Sequence, residues 1–411
     1  MQLRRFLFLQ GVCSPFFACL AERLIRAGHR VHKVNFNGGD AAYWRGASAC
    51  SFRGRLDGLP AFFKSTFEEH QISDIVLFGD RRPIHRPAVE LAQSSGIRVH
   101  VFEEGYFRPH WVTLERDGVN AHSLLPRDSA WYREVGKQFG DGFVAESFQT
   151  TLKIRAAHDV LYHLASVVNP LLYPGYRSHA PYIAPLMYAG YVRRFALKPL
   201  HERRDSVLVN SLISSQTPYY LLPLQLNSDA QIRDHSNFRD MADVMAFVLA
   251  SFALHAPADS RLVIKNHPLD MGLVNYPRII AELEARYAVV GRVDYLETGN
   301  LEALVQHARG TVTVNSTVGG VALQYGCPVI TLSDPIYNLA GLTFQGELDQ
   351  FWQDAEPPDQ ELFRCFKAVV IRATQINGGF YCKRGIELAV QHAVPALTSE
   401  RSPLERLIRP D

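Results

Sequence analysis

A cation and an imidazole stand two residues apart in Lys265-Asn266-His267-Pro268, directly after the apolar run Leu262 to Ile264. Fifty residues past Lys265 comes Asn315-Ser316-Thr317-Val318-Gly319-Gly320, again directly after a β-rich run, Thr311 to Val314. A third cluster, Glu103-Glu104-Gly105-Tyr106, closes the run Ile97 to Phe102. Polar residues at the carboxyl ends of neighbouring strands in an open α/β sheet converge on one crevice. A lysine, a histidine and a hydroxyl-bearing helix start are groups that hold a phosphate or a carboxylate. A glutamate at a strand end can act as acid, base or nucleophile. The chain therefore reads as a binder of an anionic small molecule, with a carboxylate placed to act on it.

Local chemistry sharpens each cluster. Pro268 holds His267 extended and so restricts where its ring can go. Lys265 and His267, two apart, share one side of their strand. One of Asn315, Ser316 and Thr317 is the natural N-cap of the next helix, a role compatible with ligand binding. Gly319 and Gly320 would let that helix approach a ligand closely, its free N–H groups facing an anion. Glu103 and Glu104 point to opposite sides, so one enters the cleft and the other faces structure or a helix start. Residue type does not choose between them, and a plain surface pair is the alternative. Gly11 closes the first strand. Asn37-Gly38-Gly39-Asp40 follows the second strand as a loop over a ligand or as an ordinary turn. The loop from Leu222 to Asp229 offers Gln225 and Asp229 to a base, a sugar or an acceptor hydroxyl, with Asp229 equally suited to capping the loop. Asn377-Gly378-Gly379-Phe380-Tyr381 reads as a tight turn.

These clusters need strands and helices to carry them. Strands are expected at Phe6–Gln10, Val31–Phe36, Asp74–Phe78 and Ile97–Phe102. In the second half they are expected at Val207–Asn210, Arg261–Asn266, Tyr287–Val290, Thr311–Val314 and Val329–Leu332. Helical patterns lie between them, as at Leu59–His70, Met241–Leu254 and Pro277–Arg286. Residues 125–200 are less regular, with helices broken by prolines. Strands alternating with helices predict parallel sheets. At 411 residues the chain exceeds one typical core, so two such domains facing a central cleft are expected. The boundaries predicted are 1–200 and 201–345, with helices in 346–411 packing back across the domains.

Bulk composition excludes several classes. A formal net charge of +2 implies no general affinity for nucleic acid. Arg193, Arg194, Lys198, Arg203 and Arg204 form a basic stretch, either a solvated linker or a patch facing anionic lipid. The six cysteines show no CxxC and no metal spacing, so they are expected to be reduced core residues in a cytosolic protein. No GxGxxG follows the first strand, and no Walker lysine, HExxH or Asp-x-Asp pair occurs, so no metal or cofactor is expected. No apolar run approaches 18 residues, and Met1–Gly11 is too short for a signal peptide, so no transmembrane helix is expected.

With these residues in hand, most of the chain resembles the capsule polysaccharide biosynthesis proteins of the KpsS/LipB type, bacterial β-Kdo glycosyltransferases. The resemblance rests on Leu9-Gln10-Gly11 with Pro15-Phe16-Phe17, Asn35 to Asp40, Phe102-Glu103-Glu104-Gly105-Tyr106, Pro223-Leu224-Gln225 with Asp229, Lys265 to Pro268, and Asn315-Ser316-Thr317. It implies a GT-B-like α/β fold of two Rossmann-like parallel-sheet domains. The N-terminal domain would form the acceptor side and carry the catalytic carboxylate, and the C-terminal one would hold the donor. The resemblance further implies CMP-Kdo as donor and a (lyso)phosphatidylglycerol lipid as acceptor, the product being the poly-Kdo linker of a capsule. It implies work at the cytoplasmic face of the inner membrane, as a peripheral protein alongside capsule assembly and export proteins. His267 would then contact the CMP phosphate. Ser316 and Thr317 would bind the donor's phosphate or carboxylate, and Glu103 or Glu104 would supply the catalytic carboxylate. The resemblance leads to an expectation of retention. The competing readings are another nucleotide-sugar transferase or epimerase on the same scaffold, and a non-catalytic export component.

Overall fold

In the computed structural model, residues 3–46, 48–140, 144–177, 182, 184–227 and 238–410 are described. The chain forms two compact units. Unit 1 comprises residues 1–126, 139–179 and 367–411, and unit 2 comprises residues 127–138 and 180–366.

Unit 1 is built on seven strands. They are β1 (Arg5–Phe8), β2 (Arg30–Asn35), β3 (Ser48–Ser51), β4 (Asp74–Phe78), β5 (Arg98–Glu104), β6 (Trp111–Arg116) and β12 (Gln375–Asn377), in the order β12-β6-β5-β4-β1-β2-β3. The first five run parallel, and the central β1, β4 and β5, covered on both faces, carry nearly continuous apolar runs, whereas β2 and the exposed edge strand β3 do not. Alternate side chains divide between two cores. Phe6, Phe8, Val76 and Phe102 meet the helices Phe16–Arg26 and Lys383–Thr398 on one face. Leu7, Ile75, Leu77, Val99 and Val101 meet the helices Leu59–His70 and Arg86–Ser94 on the other. The edge departs from the parallel expectation, because β5 pairs antiparallel with β6 and β6 with β12. Gly105 permits that hairpin, since a Cβ there would lie 2.1 Å from the Trp111 carbonyl oxygen.

Unit 2 holds β7 (Tyr219–Pro223), β8 (Arg261–Lys265), β9 (Val293–Leu296), β10 (Gly310–Thr313) and β11 (Val329–Thr331), all parallel, in the order β11-β10-β7-β8-β9. The helix Met241–His255 supplies much of its core, through Met241, Met245, Val248 and Phe252.

Two strand expectations fail here. Val207–Asn210 lies inside a 31-residue helix, Ala184–Ser214. The buried positions Asp205, Val209 and Leu212 follow helical spacing, while the β-branched Val207 is 70% exposed. The strand expected at Tyr287–Val290 begins at Val293 instead. The helix Tyr276–Tyr287 ends on Ala288 in the left-handed region (φ 55°), and Gly291 (φ 81°) completes the turn into the strand.

Candidate functional site

The order of strands in unit 2 decides what meets there. β7 lies between β10 and β8, so the carboxyl ends of β10, β7 and β8 stand side by side. The two clusters of the second half are therefore not on adjacent strands. Gln225, just past β7, links them: its Nε2 donates to Asn315 Oδ1 (2.9 Å) and its Oε1 accepts from the Asn315 N–H (3.3 Å). Lys265, His267, Gln225, Asn315 and Ser316 thus border one end of one sheet. Asp229 lies outside the described residues.

Lys265 is 6% exposed. Among the described residues its ammonium makes one hydrogen bond, a long one to the Asn266 carbonyl (3.4 Å), and no ion pair. Burial and the nearby Arg194 charge hold its pKa below the ordinary lysine value. A buried cation so thinly partnered is costly unless an anion completes it. His267 is half-buried, and its Nδ1 accepts from the Leu269 N–H (3.1 Å). In the neutral ring the proton therefore sits on Nε2, a donor.

The helix Thr317–Gln324 starts at the same end of the sheet. Ser316 is its N-cap, with Oγ accepting from the Val318 N–H (3.2 Å), and Thr317 is exposed. Gly319 is explained differently from the sequence expectation. A Cβ there would fall 2.3 Å from the Tyr337 hydroxyl, which donates to the Ser316 carbonyl (2.5 Å), so the glycine accommodates Tyr337. Gly320 alone opens to free space.

Arg194 is a residue that sequence reasoning misplaced. It is only 14% exposed and sits within unit 2. Its Nη1 donates to the carbonyls of His267 (2.9 Å), Pro268 (3.2 Å) and Asp270 (2.6 Å), and its Nη2 pairs with Glu297 (3.3 Å). It fastens the His-Pro turn. Arg204 pairs with Asp205 and Lys198 with Glu202, whereas Arg193 and Arg203 are exposed. Nothing in the sequence joins residue 194 to residue 267; the helix Ala184–Ser214 makes the connection.

In unit 1 the two glutamates part as alternation requires. Glu103 lies on the Val101 face, where its Oε1 accepts from the Glu104 N–H (2.9 Å) and its Oε2 lies near Gly79. Glu104 lies on the Phe102 face and lines a cavity of about 190 Å³ with Arg108, Trp111, Phe148, Arg155 and Tyr381. Its carboxylate is 3.6 Å from the Arg155 guanidinium, which covers the Tyr381 ring at 4.9 Å. Burial works against the Arg155 charge, but Tyr381, Glu104 and Asp159 outweigh it and raise its pKa. The segment Gly378–Tyr381, read from sequence as a tight turn, forms part of this wall.

The remaining residues of unit 1 are spent internally. Asn37 caps the helix Gly38–Tyr43 by accepting from the Asp40 N–H (2.8 Å). Tyr162 receives the Asn37 amide (2.8 Å) and donates to Asp40 (2.9 Å). Gln10 donates to Asp40 (3.3 Å) and to Tyr162 (3.1 Å), and accepts from Arg82 (3.0 Å). Gly38 and Gly39 do allow close approach, but to protein: a Cβ would lie 2.2 Å from the Ala165 carbonyl and 2.6 Å from the Tyr162 ring. Gly11 lies against Phe17, with its carbonyl accepting from Arg82 (3.3 Å). Lys33, fully buried, donates to the Leu9 carbonyl (2.6 Å), and burial lowers its pKa to about 8. Burial pushes the Cys13 thiol up to about 12, which removes it as a thiolate nucleophile. All six cysteines are free, and no group of metal-ligating residues occurs among the described residues.

Two Rossmann-like units in one chain, each with polar residues at strand carboxyl ends, define a GT-B-like protein. The sequence pattern of the capsule polysaccharide biosynthesis proteins matches residues 73–381, and the chain belongs to that family. It is 35% identical over 379 residues to the capsule polysaccharide export protein KpsS of Escherichia coli, spanning 92% of this chain and 97% of that one. It is also 35% identical over 391 residues to the capsule polysaccharide modification protein LipB of Neisseria meningitidis serogroup B, spanning 91% of each. Among solved structures, the Thermosulfurimonas dismutans KpsC β-Kdo 2,7 transferase aligns at a TM-score of 0.44 and 13% identity, over 95% of this chain and 99% of that one.

Proposed function

We propose that the chain is a retaining β-Kdo glycosyltransferase that moves Kdo from CMP-Kdo to a (lyso)phosphatidylglycerol-based acceptor, building the linker of a capsular polysaccharide. The observation that carries this reading is the buried, thinly partnered Lys265 beside His267 and the Ser316-capped helix start. Membership of the capsule family supports the pathway, and the motif resemblance to the KpsS/LipB type supports the sugar.

The chemistry follows from charge. Departure of CMP leaves negative charge on its phosphate. Lys265, His267 Nε2–H and the N–H groups at the start of helix Thr317–Gln324 stabilise that charge as it grows. The Thr317 hydroxyl is exposed and can donate to the same group. Loss of CMP leaves an oxocarbenium-like centre, which a carboxylate stabilises or attacks. Glu104 takes that role, because it opens into a cavity walled by aromatic rings and two arginines. The protein acts as a peripheral protein on the cytoplasmic face of the inner membrane, alongside capsule assembly and export proteins.

The deciding experiment is incubation with CMP-Kdo and a phosphatidylglycerol-based acceptor, read by mass spectrometry and by NMR of the new linkage. The acceptor gains the mass of one Kdo with β configuration retained. A gain from UDP-sugars alone, or epimerised donor with no acceptor product, points to another nucleotide-sugar enzyme. No product from any donor, with capsule lipid bound, points to an export component.

A further inference from the structure

The segment from Thr151 to Tyr173 is amphipathic in the reverse of the usual sense. It runs as a helix (Leu152–Ala165), a 3-10 turn (Ser166–Val168) and a short helix (Asn169–Leu172). Its polar side chains point inward. His158 bonds to Tyr43 (2.8 Å), Tyr162 to Asp40 (2.9 Å), Ser166 to the Gly39 N–H (3.2 Å), Asn169 to the Gly38 N–H (2.7 Å) and Tyr173 to Ser51 (3.0 Å). Its apolar side chains point outward: Val160 is 39% exposed, Leu161 57%, Leu164 61%, Val167 71%, Leu171 84% and Leu172 45%. Their spacing, one to four residues, draws a single stripe along the segment. The charged residues between Ile154 and Tyr176, histidines aside, are Arg155 and Asp159, each with a side chain 40% exposed and Asp159 lying 3.7 Å from His163 Nε2, and Lys153 and Arg177 bound the stripe. A helix facing only water carries its polar residues outward, and contiguous apolar patches of this kind mark interaction surfaces.

We propose that this stripe seats in the surface of an anionic phospholipid membrane. Lys153, Arg155 and Arg177 outnumber the single acid between them, Asp159, which sits beside His163, and this excess of positive charge complements anionic headgroups. The stripe also offers none of the hydrogen-bonding side chains by which a protein partner is selected. Its amino end adjoins the cavity of Glu104: Leu152 and Arg155 line that cavity together with Arg108. Docking along the stripe therefore sets two arginines and the carboxylate near headgroup level. This last placement rests on the lipid-acceptor reading; the docking face does not.

The test is flotation of the full chain with vesicles of phosphatidylglycerol and phosphatidylethanolamine, against vesicles of phosphatidylcholine alone, with no sugar nucleotide present. The outcome is thus independent of the transferase reading, which the mass assay tests separately. The protein is expected to float with the anionic vesicles, and Leu161→Glu/Leu164→Glu to lower the bound fraction by ~10-fold or more. Circular dichroism and the melting temperature of the double variant should match the parent, since both side chains already face solvent. Equal flotation of parent and variant overturns the proposal, as does failure of the parent to float. A parent that is dimeric by light scattering and becomes monomeric on Leu161→Glu/Leu164→Glu also overturns it, assigning the stripe to self-association.

Discussion

The two units repeat one architecture and treat their polar residues in opposite ways. At the carboxyl ends of β1 and β2, Gln10, Asn37, Asp40, Tyr162 and Arg82 satisfy one another in a closed hydrogen-bond network. At the carboxyl end of β8, Lys265 is as deeply buried and has one long hydrogen bond among the described residues. Both regions carry motif residues of the kind that invite a functional reading. A buried network that is fully paired holds a backbone in place, whereas a buried charge that is under-paired calls for a ligand. The comparison separates residues that build the first unit from residues proposed to serve chemistry.

Substitutions can break or sharpen that contrast. The largest effect is expected at Glu104→Gln, which should lower kcat by ~10³-fold while CMP binding by calorimetry is unchanged. The same loss at Glu103→Gln with Glu104→Gln fully active would move the chemistry to the opposite face of β5. Lys265→Met should weaken CMP binding by about 30-fold, the worth of a charge-assisted hydrogen bond. The unliganded protein should melt no lower, because the variant removes a buried charge; unchanged CMP affinity would remove the reading of Lys265 as an anion holder. Tyr162→Phe should do the reverse, costing about 2 kcal/mol of stability by leaving Asp40 and Asn37 short of a partner, with CMP affinity intact. A large loss of affinity there would return the Asn37–Asp40 loop to the ligand.

Lys33 offers a subtler check. Its folded pKa is lowered to about 8 by burial, so between that value and the ordinary ~10.4 the unfolded chain binds more protons and stability rises with pH. Urea titrations of the parent should gain about 1.5 kcal/mol from pH 8 to 9.5 relative to Lys33→Met. A flat difference would mean that the ammonium is not desolvated. Ser316→Ala should cost the least, about 1 kcal/mol for a lost helix cap. If CMP affinity falls with it, the hydroxyl serves the ligand as well as the helix.

Much of the fold was readable because parallel strands buried on both faces write themselves as apolar runs. The strand Asp74–Phe78 and the helix Leu59–His70 fall where their patterns place them. The failures have physical causes. β7 reads Tyr-Tyr-Leu-Leu-Pro, and its last two residues fall within the loop expected from Leu222 to Asp229; the pairing of Pro223 with Lys265 shows the strand running to that residue. β12 is three residues long and pairs with a strand some 260 positions earlier, a contact that no local pattern records. At the candidate site, residue types pointed to Lys265, His267 and Ser316, but not to what holds them. Arg194 and Gln225 act through hydrogen bonds that span 73 and 90 positions of sequence. The glycines were rightly read as places of close approach, yet at 38, 39 and 319 the neighbour is Ala165, Tyr162 or Tyr337.

The strand β12 also carries a consequence for biogenesis. Gln375 fixes the β5–β6 turn, its Oε1 accepting from the Tyr106 N–H (2.9 Å) and its Nε2 donating to Thr113 (3.0 Å). Phe380, Ile386 and Ala393 then fill the core beside Phe16 and Phe102. All of these later residues leave the ribosome after the whole of unit 2. During synthesis the first sheet waits with one edge open and one face only partly covered, by helix Phe16–Arg26, while the second is completed, and the nascent chain is most in need of a chaperone over that interval.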